Sequence, residues 1–218
     1  MVNRELSFTY AGPRPRASDS DVRDATLAAS AIYQVKNCTN DVPCGINLTN
    51  ARAVAHFPHP GRITGLNEIL AIQRATRARV ILADRISQSA CPDRLEPVAG
   101  PGRILGCADL TIGSWLVVVR DPSRMGITLA HEFGHASGLP HRTASCALMN
   151  PVYAPGNKAL DGWECRQLKD PLTNPPRTAP NLAKGKANAK AKANGGKSLK
   201  LQKSLRDWLV NTNMRDSQ

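Results

Sequence analysis

The sequence predicts an α+β domain over residues 1–170, followed by a basic, low-complexity tail over residues 171–218. Two observations support this division. Short apolar segments rich in β-branched residues alternate with amphipathic helical segments up to about residue 168, as in a sheet packed against helices. After residue 170 the composition changes to prolines and then to Lys, Ala, Gly and Asn, which cannot bury a core.

The first half of the domain predicts strands on either side of one helix, and then a second helix. Residues 4–10 alternate apolar and polar side chains, as a half-buried strand does. Residues 18–21 (SDSD) offer an N-cap for a helix over residues 22–35. Residues 45–57 predict a strand with a loop, and residues 65–75 predict the second helix.

The second half predicts three strands and two helices. Residues 79–86 (RVILADRI) begin with an apolar, β-branched run typical of a strand, and residues 92–102 are rich in turn formers. The remaining predicted elements are strands at 103–110 and 115–120 and helices at 125–137 and 159–168. Gly138 is expected to end the first of these helices. No apolar run approaches the roughly 20 residues that a membrane-spanning helix requires.

The cysteines favour three disulfide bonds and hence an oxidising compartment, extracytoplasmic or secreted. Fifteen pairings are open in principle, and we expect sequence neighbours to pair because each bond would then close a short loop. The alternative is a cytosolic protein with reduced, buried thiols. Residues 1–10 lack the apolar core of a signal peptide. The expected pairs are Cys38–Cys44, Cys91–Cys107 and Cys146–Cys165.

The formal charge of +12 belongs mainly to the tail, because seven lysines lie between residues 184 and 203 and the remainder carries only about +5. Lysines without interleaved aromatic residues give non-specific, salt-sensitive attraction to anions. We therefore expect the tail to dock the protein to an anionic polymer or surface, with a solvated end as the alternative. A short terminal helix is expected near residues 201–209, and the chain is expected to be a monomer.

Residues 131–141 (HEFGHASGLPH) contain the candidate metal ligands and the candidate general base. His131 and His135 lie four residues apart, so both imidazoles project from one face of a helix toward one ion. Gly138 permits a sharp turn that brings His141 back as a third nitrogen ligand. Three protein ligands leave one position open, which is the arrangement of a catalytic zinc site. Glu132, next to the first ligand, is the expected general base for a water molecule made acidic by the ion.

This H-E-x-x-H-x-x-G-x-x-H pattern resembles that of metzincin zinc metalloproteases, and residues 147–151 (ALMNP) resemble the Met-turn of the matrixins among them. The resemblance implies a zincin domain whose twisted, mostly parallel sheet, with an antiparallel edge strand at residues 103–110, packs on the zinc-binding helix. It also implies that Met149 lies beneath the histidines without binding the metal, that the edge strand pairs with an extended substrate, and that Tyr153 approaches the ion as a transition-state stabiliser.

The sequence thus predicts a zinc-dependent metalloendopeptidase that holds one catalytic Zn²⁺ and acts on protein or peptide substrates. The alternative is a catalytically inactive or latent zinc-bearing binding module whose basic tail docks to anionic surfaces. The intact Glu132 favours the enzyme, because loss of the general base is a common route to inactivity.

Overall fold

The computed structural model describes residues 1–15, 17–36, 42–91, 95–100, 103–109 and 115–171. The predicted tail and its terminal helix lie outside these residues. The strands are β1 (Val2–Leu6), β2 (Phe8–Gly12), β3 (Ile46–Asn50), β4 (Ala55–Pro58), β5 (Arg62–Ile63), β6 (Val80–Ala83), β7 (Arg85–Ile86), β8 (Leu95–Gly100), β9 (Arg103–Asp109) and β10 (Leu116–Val119). The helices are α1 (Asp19–Gln34), α2 (Leu66–Thr76), α3 (Met125–His135) and α4 (Gly162–Lys169).

One mixed sheet organises the described residues, and it confirms the predicted α+β fold. Its strand order is β4-β2-β6-β10-β9-β7-β5, with β8 paired to β9. The pairs β4–β2, β2–β6, β6–β10 and β7–β5 are parallel, whereas β9 runs antiparallel to β10, β7 and β8. The sheet is therefore mostly parallel with an antiparallel strand at residues 103–109, as predicted.

Two predictions about strands were wrong in detail. Residues 4–10 are not one strand: the chain breaks at Ser7, so that β1 pairs with β3 in a separate two-stranded sheet while β2 joins the main sheet. Residues 92–102 are not only turns, because β8 forms there and pairs along the length of β9. Pro97 argued against a strand in the sequence, although proline is tolerated at a sheet edge, where its missing N–H is not needed. The strand at this edge of the sheet is therefore β8 and not β9.

Helices cover both faces of the main sheet and divide the core in two. α1 and α3 pack with Phe8, Leu82 and Val118 on one face, while α2 covers Ile81 and Val117 on the other. α1 begins with a capping box in which Ser18 is the N-cap, so the cap lies within residues 18–21 as predicted, while the helix begins at Asp19 and not at residue 22. The Tyr33 hydroxyl of α1 donates to the carbonyl of Ala130 in α3 at 2.6 Å, which fixes the two helices against each other.

The disulfide bonds contradict the expectation that cysteines pair with their neighbours in sequence. Cys91–Cys107, the short-range disulfide, ties the start of the β8 segment to β9 as predicted. Cys44, however, bonds to Cys165 across 121 residues, and this long-range disulfide joins the chain before β3 to α4. Cys146 is also disulfide-bonded, and Cys38 lies outside the described residues. The expected pairs Cys38–Cys44 and Cys146–Cys165 are therefore wrong.

The physical reason for the long-range pairing is burial. Cys44 and Cys165 both belong to the apolar cluster beneath α1 and α3, at 0% and 5% exposure. The fold brings these two positions together, whereas loop length alone favours neighbours in the chain.

Among the described residues, no helix is both long enough and apolar enough to cross a membrane.

Candidate metal centre

Helix α3 places His131, Glu132 and His135 inside the protein, with exposures of 1%, 0% and 0%. Every residue of the helix except Ile127 is buried, because Leu129 and Phe133 pack into the core against the sheet and α1. The chain leaves the helix through Gly138, whose φ of +86° lies in the left-handed region that glycine adopts without steric cost. This turn carries the chain back toward the helix, as the sequence predicted.

Backbone carbonyls fix the orientation of both helical histidines. The Nδ1 atom of His131 lies 2.7 Å from the carbonyl oxygen of Leu148, and that of His135 lies 2.7 Å from the carbonyl oxygen of Leu139. A carbonyl oxygen only accepts, so each Nδ1 carries the proton and each Nε2 presents a lone pair. The same second-shell contact orients histidine ligands in metal sites generally.

The three Nε2 atoms converge. His131 and His135 are 2.9 Å apart at Nε2, and the Nε2 atom of His141 lies 3.3 Å and 3.2 Å from them. Nitrogens at 2.0–2.1 Å around a tetrahedral ion would be separated by about 3.3 Å. Two buried lone pairs facing each other at 2.9 Å repel unless a cation lies between them. The triad is thus suited to a metal ion.

Burial keeps His135 unprotonated. Desolvation lowers the pKa of His135 well below 6.5, and the neighbouring His131 and His141 lower it further, against a smaller opposite effect of the hydrogen bond to Leu139. His135 is therefore neutral, as a metal ligand must be, at neutral pH.

Met149 lies directly against the metal-binding helix. A Cβ placed on Gly134 would come within 2.5 Å of the Met149 sulfur and 3.0 Å of its methyl carbon. Gly134 lies between the two helical histidines, and Met149 is fully buried. The absence of a side chain at Gly134 therefore lets the Met-turn approach the helix closely, and the turn also supplies the Leu148 carbonyl that orients His131.

Arg142, which the sequence did not single out, holds the segment that carries His141. Its guanidinium lies 3.0 Å from a carboxylate oxygen of Glu164 in α4 and donates to the carbonyl of Ala159 at 2.9 Å. Its backbone N–H donates to the Met149 carbonyl at 2.8 Å. Glu164 also caps α4 by accepting from the N–H of Asp161 at 2.7 Å. Sequence spacing offers no signal for these contacts, because the acidic partner lies on a separate helix.

Glu132 and Tyr153 contact different parts of the structure. Glu132 lies under β9, where a Cβ on Gly106 would come within 2.6 Å of its Oε1 atom. The ring of Tyr153 lies over the Arg124 guanidinium, 5.6 Å from it, at the start of α3. The histidines begin seven residues further along, about 10 Å at 1.5 Å per residue. The structure thus brings the three histidines together and places Met149 against their helix, while the catalytic role of Glu132 and the approach of Tyr153 to the triad stay predictions.

The segment after Met149 is hydrogen-bonded to β8. The N–H of Ala99 donates to the Pro151 carbonyl at 2.9 Å, and the N–H of Tyr153 donates to the Ala99 carbonyl at 2.8 Å. These bonds form a parallel bridge between Ala99 and Val152. Strand β8 therefore connects β9 to the segment that follows Met149.

Comparisons with known proteins agree with this geometry. Residues 111–162 match the family model described as matrixin. Matrix metalloproteinase-19 of Mus musculus is 30% identical over an alignment covering 45% of this chain and 25% of that protein. The chain thus spans about a quarter of the length of this curated relative.

Solved structures are similar in fold at low identity. Metalloproteinase-II from Bacteroides fragilis is 13% identical with a TM-score of 0.51, covering 80% of this chain and 57% of that one. Archaemetzincin from Methanopyrus kandleri is 15% identical with a TM-score of 0.48, covering 78% of this chain and 97% of that one. The segment that carries the triad is thus similar to the matrixin family over residues 111–162, and the solved structure with the TM-score of 0.51 has a similar fold.

Proposed function

We propose that this protein is a zinc-dependent metalloendopeptidase, and one observation carries the proposal. Three histidine Nε2 atoms converge within 3.3 Å of one another, and a buried glutamate follows the first of these histidines on helix α3. An all-nitrogen set of three protein ligands suits zinc and leaves a position open for chemistry. The match to the matrixin family over residues 111–162 supports the same activity.

The protein residues supply the acid–base and positioning parts of the reaction. When bound at His131, His135 and His141, zinc supplies a Lewis acid that lowers the pKa of water and polarises a peptide carbonyl. Glu132 takes a proton from the attacking water on its carboxylate and returns it to the leaving amine. Leu148 and Leu139 hold both helical histidines in the tautomer that presents Nε2. Met149 supports the helix from below through its contact with Gly134.

The proposed substrates are proteins or peptides, and the proposed location is extracytoplasmic. Substrate class follows from the matrixin-like segment, while two disulfide bonds in the described residues favour an oxidising compartment. A monomeric state and docking of the tail to anionic surfaces stay predictions.

Casein cleavage by oxidised protein tests the proposal. The zinc-loaded wild type is compared with a chelator-treated sample and with Glu132→Ala, which retains the three histidines. We expect cleavage only by the untreated wild type. Equal cleavage by Glu132→Ala would overturn the proposed role of the glutamate, and zinc binding without cleavage of any protein would support the alternative of a binding module.

A further inference from the structure

A cavity of about 300 Å³, lined by three arginines and two isoleucines, lies where β5, β7 and β9 meet. Arg62 and Arg85 are direct neighbours in the parallel pair β5–β7, and Ile86 faces Ile104 across the antiparallel pair β7–β9. The sheet thereby gathers guanidinium groups from three separate segments of the chain. The lining residues are Arg62, Arg85, Ile86, Arg103 and Ile104.

The arginines project from the face of the sheet that carries α3. Ile63, Ile86 and Ile104 are buried in the apolar cluster beneath α2, on the opposite face. Successive side chains of a strand point to opposite faces, so the arginine preceding each isoleucine points toward α3. The guanidinium of Arg103 accordingly reaches Asp121, immediately before α3, at 2.6 Å.

The positive charge of the cavity is only partly balanced. Asp121 is shared between Arg103 and Arg124, the latter at 3.7 Å, and the Nε atom of Arg62 donates to the uncharged hydroxyl of Ser87. Within the described part of the chain, the Arg85 guanidinium has neither a hydrogen bond nor an ion pair.

Asp84, the carboxylate that precedes Arg85 in the sequence, does not pair with the Arg85 guanidinium. Asp84 accepts from the Tyr10 hydroxyl at 2.9 Å and lies 3.8 Å from Arg120. The cavity therefore retains positive charge, which suits a carboxylate group. Arginine binds carboxylates through two parallel N–H donors, which gives geometric selectivity as well as attraction.

β9 sets the distance between this cavity and the catalytic glutamate. Gly106 contacts Glu132, and Arg103 lies three residues earlier on the same strand. Both residues lie on the same face of the sheet, because a β-bulge opposite Val98 and Ala99 leaves Leu105 as an extra residue between Ile104 and Gly106. Three residues of extended chain span roughly 10 Å. A peptide substrate with its scissile bond near Glu132 covers the same distance in about three residues.

We propose that this arginine cavity binds an acidic side chain of the peptide substrate, located about three residues from the scissile bond. The inference rests on the proposed peptidase function and adds a substrate class to it. Arg85 supplies the uncompensated charge, while Arg62 and Arg103 complete the guanidinium wall. The protein accordingly prefers substrates with Asp or Glu at that distance over their amide counterparts.

Matched peptides that differ only by Asp or Asn, three residues on either side of the cleaved bond, test this preference. We expect wild type to cleave the Asp peptide of one pair with kcat/KM about tenfold higher, the size of one charge-assisted contact. In Arg85→Gln the ratio should fall to about one, and in Arg85→Glu a Lys peptide should be preferred. Arg23→Gln removes an exposed arginine charge from α1 and should keep the tenfold ratio.

Peptide binding to Glu132→Ala, measured by fluorescence anisotropy, separates the two proposals. The same tenfold difference in Kd between Asp and Asn peptides is expected there, and it should disappear in Glu132→Ala/Arg85→Gln. Charge discrimination in binding without cleavage by wild type would overturn the peptidase and leave the acidic-peptide site in place. Cleavage of the Asp and Asn peptides at equal rates by wild type and Arg85→Gln would overturn the acidic-peptide site and leave the peptidase intact.

Discussion

Substitution of Gly134 by alanine tests the contact between the Met-turn and the metal-binding helix. The new methyl group would lie 2.5 Å from the Met149 sulfur, 3.0 Å from its methyl carbon and 3.4 Å from Cδ1 of Leu139. Overpacking of a filled core costs about 1–3 kcal/mol. Alanine gains roughly 1 kcal/mol over glycine in a helix interior, which offsets part of this cost. The net expectation is a destabilisation of about 0–2 kcal/mol.

A matched control isolates the packing effect. Gly162 lies in the first turn of α4, where a Cβ would meet only Nη1 of Arg166, at 3.7 Å. Gly162→Ala should therefore stabilise the protein by up to about 1 kcal/mol. The two alanine variants should thus differ by about 1–3 kcal/mol in the free energy of unfolding.

Urea unfolding of the metal-free, oxidised protein measures both variants, and Met149→Ala completes a double-mutant cycle. Because Met149→Ala removes the clashing side chain, Gly134→Ala should become neutral or stabilising in that background, with a coupling energy of about 1–3 kcal/mol. If Gly134→Ala stabilises the wild type as much as Gly162→Ala does, the proposed support of the helix by Met149 is refuted.

Three further predictions concern the surroundings of the triad. Arg142→Met should cost about 1–3 kcal/mol and weaken zinc binding about tenfold, since it leaves the buried Glu164 carboxylate without its guanidinium; urea unfolding and competitive zinc titration measure both, with Lys169→Met on α4 as the exposed control. Loss of the long-range disulfide through a double alanine variant should cost about 5 kcal/mol, against about 3 kcal/mol for the short-range one, because its loop is longer; equal losses would contradict the chain-entropy argument. Because burial holds the folded-state pKa of His135 below its unfolded value of about 6.5, the metal-free protein should lose stability as the pH falls through and below 6.5; urea midpoints that do not differ between pH 7.5 and pH 5.5 would oppose this.

The metal-binding geometry was predictable from sequence because its main determinants are local. A separation of four residues fixes the relative directions of His131 and His135 on any helix, and Gly138 marks the turn toward His141. The predicted helix bounds were likewise within a few residues of those observed, because N-caps and the spacing of apolar residues depend on residues that are close in the sequence.

Features that depend on distant partners were missed. β8 was not predicted, because Pro97 and neighbouring turn formers argue against a strand. Its pairing with β9 makes it a strand. The bond between Cys44 and Cys165 depends on packing of α4 beneath α1, which loop length cannot reveal. Arg142 meets its carboxylate partner across 22 residues of chain through the same packing. Each of these is a tertiary contact with no periodic signature in the sequence.

X-ray absorption at the zinc edge, combined with metal analysis, tests whether the histidine triad binds zinc. We expect one zinc per chain in the purified, oxidised protein, with nitrogen scatterers at about 2.0–2.1 Å. We also expect loss of stoichiometric zinc in His135→Ala and its retention in Glu132→Ala. Absence of bound zinc from wild type after zinc loading, or undiminished zinc in His135→Ala, would contradict assignment of the metal centre to this triad.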